Sequence, residues 1–345
     1  TTIPFHARMI EGTISVAKNP NLELVQMTSF GCGHDAVISD EMQRILRETS
    51  GKELLVLKLD ESEVHGPLRI RIKSFLETVR TKRKSTGESH RFAKFRELKE
   101  AFTTKFLTRD KGKTILAPNL SPAFSKILTE IMRKEGFNMR RMPLAAEKAL
   151  ELGKKYVHNY ICFPAQVNIG EALAVITSGE YDPDTLALAL AKNCEDCRAG
   201  QYAALARKAL DEAGYPQIPI MTTGSDTKNM HPGAKFSPMF QIHSVWGIAM
   251  MDGLEYMKRS IRPYETAAGR SEEIFAEYLE KIAEIVPHSH RKALKLLEEA
   301  VAAFNAVPVD RRKRRPRVGI VGEILLNYHP VSNRNIEKYL EQNGM

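Results

Sequence analysis

The chain has 345 residues, 43% hydrophobic and 27% charged, which suits two or three domains with ordinary cores. No apolar run approaches the roughly 18 residues that span a bilayer, and no secretory leader pattern follows the opening TTIPFHARMI; the expectation is a cytoplasmic protein with no membrane partner. A net charge of +9 suits an anionic partner, a nucleic acid or a phosphate-bearing molecule, though a solvated lysine-rich surface explains it as well, and four cysteines are too few for a disulfide scaffold.

The opening reads as two βα units. LELVQMTSF (22–30) is β-prone, GCGHD breaks it, and AVISDEMQRILRET repeats at helical spacing until Gly51. ELLVLKLD (53–60) is a buried-strand run, followed by a helix over about 67–80. Residues 81–112 are basic and polar and read as a linker carrying one helix. A second α/β domain, 113–236, starts with strand KTILAPNL. It continues through a helix after Pro122, strand FNMRRMPL, helix ALELGKKYV, strand NYICF and helix PAQVNIGEALAVITSG. TLALALAK, the amphipathic GQYAALARKALDEAGY and strand IPIMTTG complete it. Strands alternating with helices predict an α/β fold, parallel sheets with helices on both faces. Residues 237–310 read as a helical segment. Residues 317–345, with strand VGIVGEILL and a helix after it, read as the start of a further α/β unit or a strand completing an earlier sheet. Together with the absence of an initiator methionine, that last unit suggests a fragment of a longer chain.

All four cysteines fall at expected strand-to-helix turns: Cys32 after strand 22–30, Cys162 at the end of NYICF, Cys194 and Cys197 after TLALALAK. Such turns line the carboxyl edge of an open α/β sheet, where ligands bind and helix N-termini favour negative charge. Thiolates and inorganic sulfide suit that edge. A thioredoxin-type pair would use Cys194 and Cys197 and leave Cys32 and Cys162 idle. Structural zinc usually takes two close pairs, not one pair and two distant singles. Any one of them could also be a buried apolar side chain. The pattern favours an iron–sulfur cluster on Cys162, Cys194 and Cys197, with Cys32 a fourth ligand or a neighbour.

The motifs around these residues resemble a known family. MTSFGCGHDAVISDE, LDESEVHGPLRIRIKSFLETVR, GKKYVHNYICFPAQVNIGEAL, CEDCRAGQYAALARKALDEAGYP and VGIVGEI…NYHPVSN are similar to the large activators of 2-hydroxyacyl-CoA dehydratase. Those proteins couple activase-type ATPase domains to a region related to the dehydratase and double-cubane cluster subunits. The resemblance implies flavodoxin-like domains holding an oxygen-sensitive iron–sulfur cluster, 4Fe–4S or a larger bridged one. It implies electron transfer or reduction, with low-potential electrons from an ATP-hydrolysing activase and an acyl-CoA as a conceivable substrate. Whether this chain is itself an enzyme is left open: it carries no glycine-rich phosphate loop, so ATP hydrolysis is not expected of it. Three ligands would leave one iron open, whereas Cys32 as a fourth would close the site. The alternative function is a non-catalytic docking domain, with or without zinc. Oligomerisation is compatible with either.

Second-tier site candidates are His34 beside Cys32, and Glu323 and His329 in GEILLNYHP. Lys58, Arg69, Arg71 and Lys73 could meet phosphates or an activase surface, but a solvated face is the simpler reading. RRKRRPR (311–317) lacks aromatic interleaving and a binding motif, so a solvated linker is expected there and specific nucleic-acid binding is not. The loop MTTGSDTKNMHPG (221–233) has the composition of a lid or of an ordinary loop.

Overall fold

The computed structural model describes residues 4–28, 34–59, 65–85, 104–144, 147–157, 161–191, 198–223, 231–312 and 314–345. The chain opens with helix α1 (Pro4–Lys18), which the sequence reading did not include. Strand β1 (Leu24–Thr28), helix α2 (His34–Ser50) and strand β2 (Leu54–Lys58) then form a parallel pair, Leu24 opposite Leu54 through Thr28 opposite Lys58. Gly51, at φ 67°, makes the turn out of α2 that a β-carbon would disfavour. The small core joins α1 to α2: Ala17, Ile38, Met42, Leu46 and Leu54. Lys52 Nζ donates to the carbonyls of Val16, Asn19 and Leu22, 2.8, 2.5 and 2.6 Å away, fixing the α1–β1 turn. Helix α3 (His65–Ser85) runs past the expected end at residue 80.

Residues 86–103, most of the expected linker, lie outside the described residues. From residue 104 the chain belongs to the second sheet. Phe106 is fully buried in that sheet's core, and its amide donates to His231 Nδ1. The sheet contains β3 (Thr114–Ala117), β4 (Met139–Arg141), β5 (Leu186–Ala191) and β6 (Ile220–Thr223), all parallel, in the order β4-β3-β5-β6. Helix α4 (Pro122–Lys134) connects β3 to β4; α5 (Glu147–Tyr156) and α6 (Phe163–Ile176) carry the chain back across β3 to β5; α7 (Tyr202–Glu212) leads on to β6. The winding therefore reverses between β3 and β5.

Period-two alternation sorts the side chains onto two faces. Leu116, Leu186, Leu188, Leu190 and Ile220 pack with α6 and α7, while Ile115, Ala117, Ala187 and Met221 meet Phe106, Met132 and Phe137 on the other side. In β5, the LALALA strand, leucines thus fill one layer and alanines admit the bulky aromatics of the opposite one. Both faces are covered, as a parallel sheet requires.

The strand expected at NYICF does not form at residues 161–163; residues 158–160 lie outside the described residues. Cys162 is instead the extended N-cap of α6, and Pro164 sits in the first helical turn, where its missing amide costs nothing. The α5–α6 corner is tight because both helices present glycine: a β-carbon on Gly153 would collide with the Gln166 carbonyl, and one on Gly170 with the Ala149 carbonyl.

Helices α8 (Pro238–Ile261), α9 (Arg270–Ile285) and α10 (His290–Asn305) pack on the outer side of α4 through Ile127, Ile131, Met250, Leu254, Ile282 and Phe304. The strand expected in VGIVGEILL is also absent. Val318, Ile320 and Val321 are exposed and pair with no described strand, and Glu323 caps a short helix, α11 (Ile324–Tyr328), accepting from the Leu326 amide. Two glycines, Gly319 and Gly322, interrupt the run. The last helix, α12 (Ile336–Gln342), lies against α8, with Glu337 and Glu341 on Arg259 and Arg262. Among the described residues no helix is long and apolar enough to cross a membrane.

Candidate functional site

In doubly wound sheets the crevice outside the strand carboxyl ends, where the winding reverses, is where ligands bind. Here that place lies beyond Ala117 of β3 and Ala191 of β5. On the β3 side, Asn119 Nδ2 donates to the Met142 carbonyl and ties the ends of β3 and β4 together. On the β5 side the chain passes through residues 192–197 into a 3₁₀ turn, Arg198–Gln201, and α7.

Of the four cysteines only Cys162 lies among the described residues; Cys32, Cys194 and Cys197 fall outside them. Cys162 is half-buried, in no disulfide, and its side chain makes no capping bond to α6. Its Sγ lies 3.0 Å from the Tyr202 hydroxyl. Tyr202 opens α7, five residues after Cys197 in sequence. The thiol therefore faces the start of α7, although it sits at a helix–helix corner and not at the expected strand end. Helix α2, which follows Cys32, reaches the same region: it touches the 198–201 turn, and Asp40 accepts from Lys208 Nζ of α7 at 2.6 Å. Among the described residues no three His, Cys, Asp or Glu side chains converge in a metal-binding group.

The other candidates separate. His34 is the first residue of α2, with its side chain outside the described residues. Glu323 is exposed and committed to its capping bond. His329, by contrast, is buried, and so is its partner Glu171 in the middle of α6: His329 Nε2 lies 3.0 Å from Glu171 Oε1. The Ser332 amide donates to His329 Nδ1 at 3.1 Å. Nδ1 must then be the acceptor, so the ring proton is on Nε2 and donates to the carboxylate. Sequence reading missed Glu171. Its signal was the single charged side chain in a helix whose only other polar side chains are Gln166 and Asn168, each residue from Pro164 to Ile176 being buried. Neither Glu171 Oε2 nor the Oδ1 of Asn168, one turn earlier, has a hydrogen-bond partner among the described residues.

Lys58, Arg69, Arg71 and Lys73 are exposed. The basic run is less free than expected. Arg311 and Arg315 both lie over the Tyr264 ring, 4.9 and 6.0 Å from its centre, and Arg315 Nη1 donates to the Glu341 carbonyl. Most of the loop 221–233 lies outside the described residues.

Comparison with protein-family models, with curated proteins and with solved structures finds no match.

Proposed function

We propose that the chain is an iron–sulfur electron-transfer or reductase module of the 2-hydroxyacyl-CoA dehydratase/activase type, working in the cytoplasm with an ATP-hydrolysing activase. The observation that carries this reading is the contact between Cys162 Sγ and the Tyr202 hydroxyl, which puts one thiol beside the segment that follows Cys194 and Cys197. The strand order supports it as well: β4-β3-β5-β6 follows the first four strands of a flavodoxin-like sheet, with its switch point between β3 and β5. So does the motif resemblance around all four cysteines.

The chain's own residues suit such a group in three ways. Cys162 stands at the start of α6, at the positive end of a helix, where the negative charge of a bound cluster would be favoured. The Tyr202 hydroxyl can donate to that sulfur and hold its orientation. The apolar length of α6 behind it keeps water from that side. A cluster bound by Cys162, Cys194 and Cys197, with Cys32 as a fourth ligand or a neighbour, would supply one-electron chemistry at low potential.

The test is anaerobic purification, with iron, acid-labile sulfide and zinc counted per chain beside the visible spectrum. The reading expects a brown protein with about four irons and matching sulfide, and loss of both in Cys162→Ser and Cys197→Ser. A colourless chain holding one zinc, or no metal after reconstitution, overturns it in favour of a docking domain.

A further inference from the structure

Apart from the cysteines, a second recess lies beside the N-terminus of α4, just beyond the carboxyl end of β3. It has a volume of about 310 Å³ and is lined by Pro122, Lys258, Phe275, Asn327, Pro330 and Lys338, with the ion-paired Glu255, Glu272 and Glu337 also on its wall. Three basic side chains of α8 border it, and they differ in one respect. Arg259 lies 2.6 Å from Glu255 and 2.9 Å from Glu337. Arg262 contacts Glu272, Glu337 and Glu341 at 2.5, 3.1 and 2.7 Å. Lys258 has no carboxylate or other acceptor within bonding distance among the described residues. Its ammonium lies over the Phe275 ring, 4.0 Å from the centre, and the residue is only 9% exposed.

A buried cation without a counter-ion is costly. Burial accordingly lowers the Lys258 amine below its ordinary value and the charge of Arg262 adds to this, while Glu272, Glu255 and Glu337 oppose it. The N-terminus of α4 adds to the positive field. There Ser121 accepts from the Phe124 and Ser125 amides, which leaves the Ala123 amide, also on the recess wall, with no acceptor among the described residues. Lys258 and Ala123 thus both line one cavity.

We infer that this recess is a binding site for a small organic anion, a carboxylate or a phosphate monoester, whose charged end sits at Lys258 Nζ and the Ala123 amide. Pro122, Phe275 and Pro330 supply apolar walls for the remainder of the molecule, and Asn327 and Lys338 stand at its polar rim. The inference uses none of the cysteines and stands apart from the cluster reading.

The experiment is calorimetric titration of the full chain with inorganic phosphate, phenyl phosphate and benzoate. Saturable binding of at least one probe, with Kd of about 1 mM or tighter, is expected, and Lys258→Met should weaken it at least about tenfold. Benzoate alone would identify a carboxylate site, and the two phosphates without benzoate a phosphate site. The same titration on dimethyl-lysine-labelled wild-type protein, followed by ¹³C NMR, guards against a variant that fails to fold: the Lys258 signal should move with the probe. Absence of saturation by all three probes, or binding that leaves both the Lys258 signal and the Lys258→Met affinity unchanged, overturns the site.

Discussion

At His329 the ring proton is already spoken for: Nδ1 accepts from Ser332, and Nε2 donates to Glu171. The pair is neutral imidazole against a carboxylate with one oxygen bonded and the other bare. A glutamine at 171 keeps the accepting oxygen and removes a buried charge, whereas alanine leaves both a cavity and an orphaned N–H. Glu171→Gln is therefore expected to change stability by less than about 1 kcal/mol and Glu171→Ala to cost about 3 kcal/mol, read from urea unfolding followed by circular dichroism. Equal losses for the two would show that the hydrogen bond contributes little. Tyr202 offers the second prediction. If its hydroxyl donates to a cluster ligand at Cys162, Tyr202→Phe removes a bond that favours the more negative, reduced state. The midpoint potential should fall, by roughly 40 mV for a bond difference of about 1 kcal/mol, measured by anaerobic redox titration. An unchanged potential would place the hydroxyl's role in packing alone.

Among the elements, α5 and α6 have the least room. Gly170 and Gly153 set their separation, and a methyl group at either meets backbone carbonyl, which cannot rotate away as a side chain can. Gly170→Ala should cost about 3 kcal/mol and lower the urea midpoint, while Gly179→Ala, strained only by its φ of 79° in open space, should cost roughly 1 kcal/mol. The same pair of helices shows where sequence reading works and where it stops. The strands in TILA and LALALA were legible because short apolar runs bounded by turn residues have few other uses, and α7 was legible from its amphipathic period and Gly214. NYICF and VGIVGEILL carry the same local signal, but a strand also needs an edge to pair with, and that is a tertiary fact. Pro164 two residues after Cys162 was the local cue for a helix start. Helix α1 was missed although Met9, Ile10, Thr13, Val16 and Ala17 recur at helical spacing after Pro4. At the candidate site, His329 was singled out for following an expected strand in VGIVGEILL that does not form, and its partner lies 158 positions away, where no spacing rule joins them.

Over the whole molecule, α8 links the parts: it packs on α4, pairs its histidine with α10, and grips α12 through Arg259 and Arg262. Acid should loosen these junctions in two windows. His243 on α8 lies 2.8 Å from His290 Nε2, and Trp246 stacks on the His290 ring. Burial first, then the charge of His290, lowers His243 below its ordinary 6.5; His288 and Lys134 add to this, while Glu135 opposes it. A folded state that resists protonation keeps this contribution above pH 6.5 and loses it as the pH falls through the lowered value. The carboxylates form the second window. Burial works against Glu337, but Arg259 and Arg262 outweigh it; burial works against Glu265, but the Gly269 and Ser271 amides outweigh it. Both end below the ordinary 4.5. Their contribution is complete above pH 4.5 and is lost as the pH falls through their folded values. Glu255 has the opposite sign, since burial raises it and its protonation on acidification relieves a cost. The net expectation is a urea midpoint that declines in two steps on acidification from about pH 7, one beginning near pH 6.5 and one below 4.5. His243→Gln should abolish the upper step and leave the lower; a variant that keeps both would assign the upper step to another group.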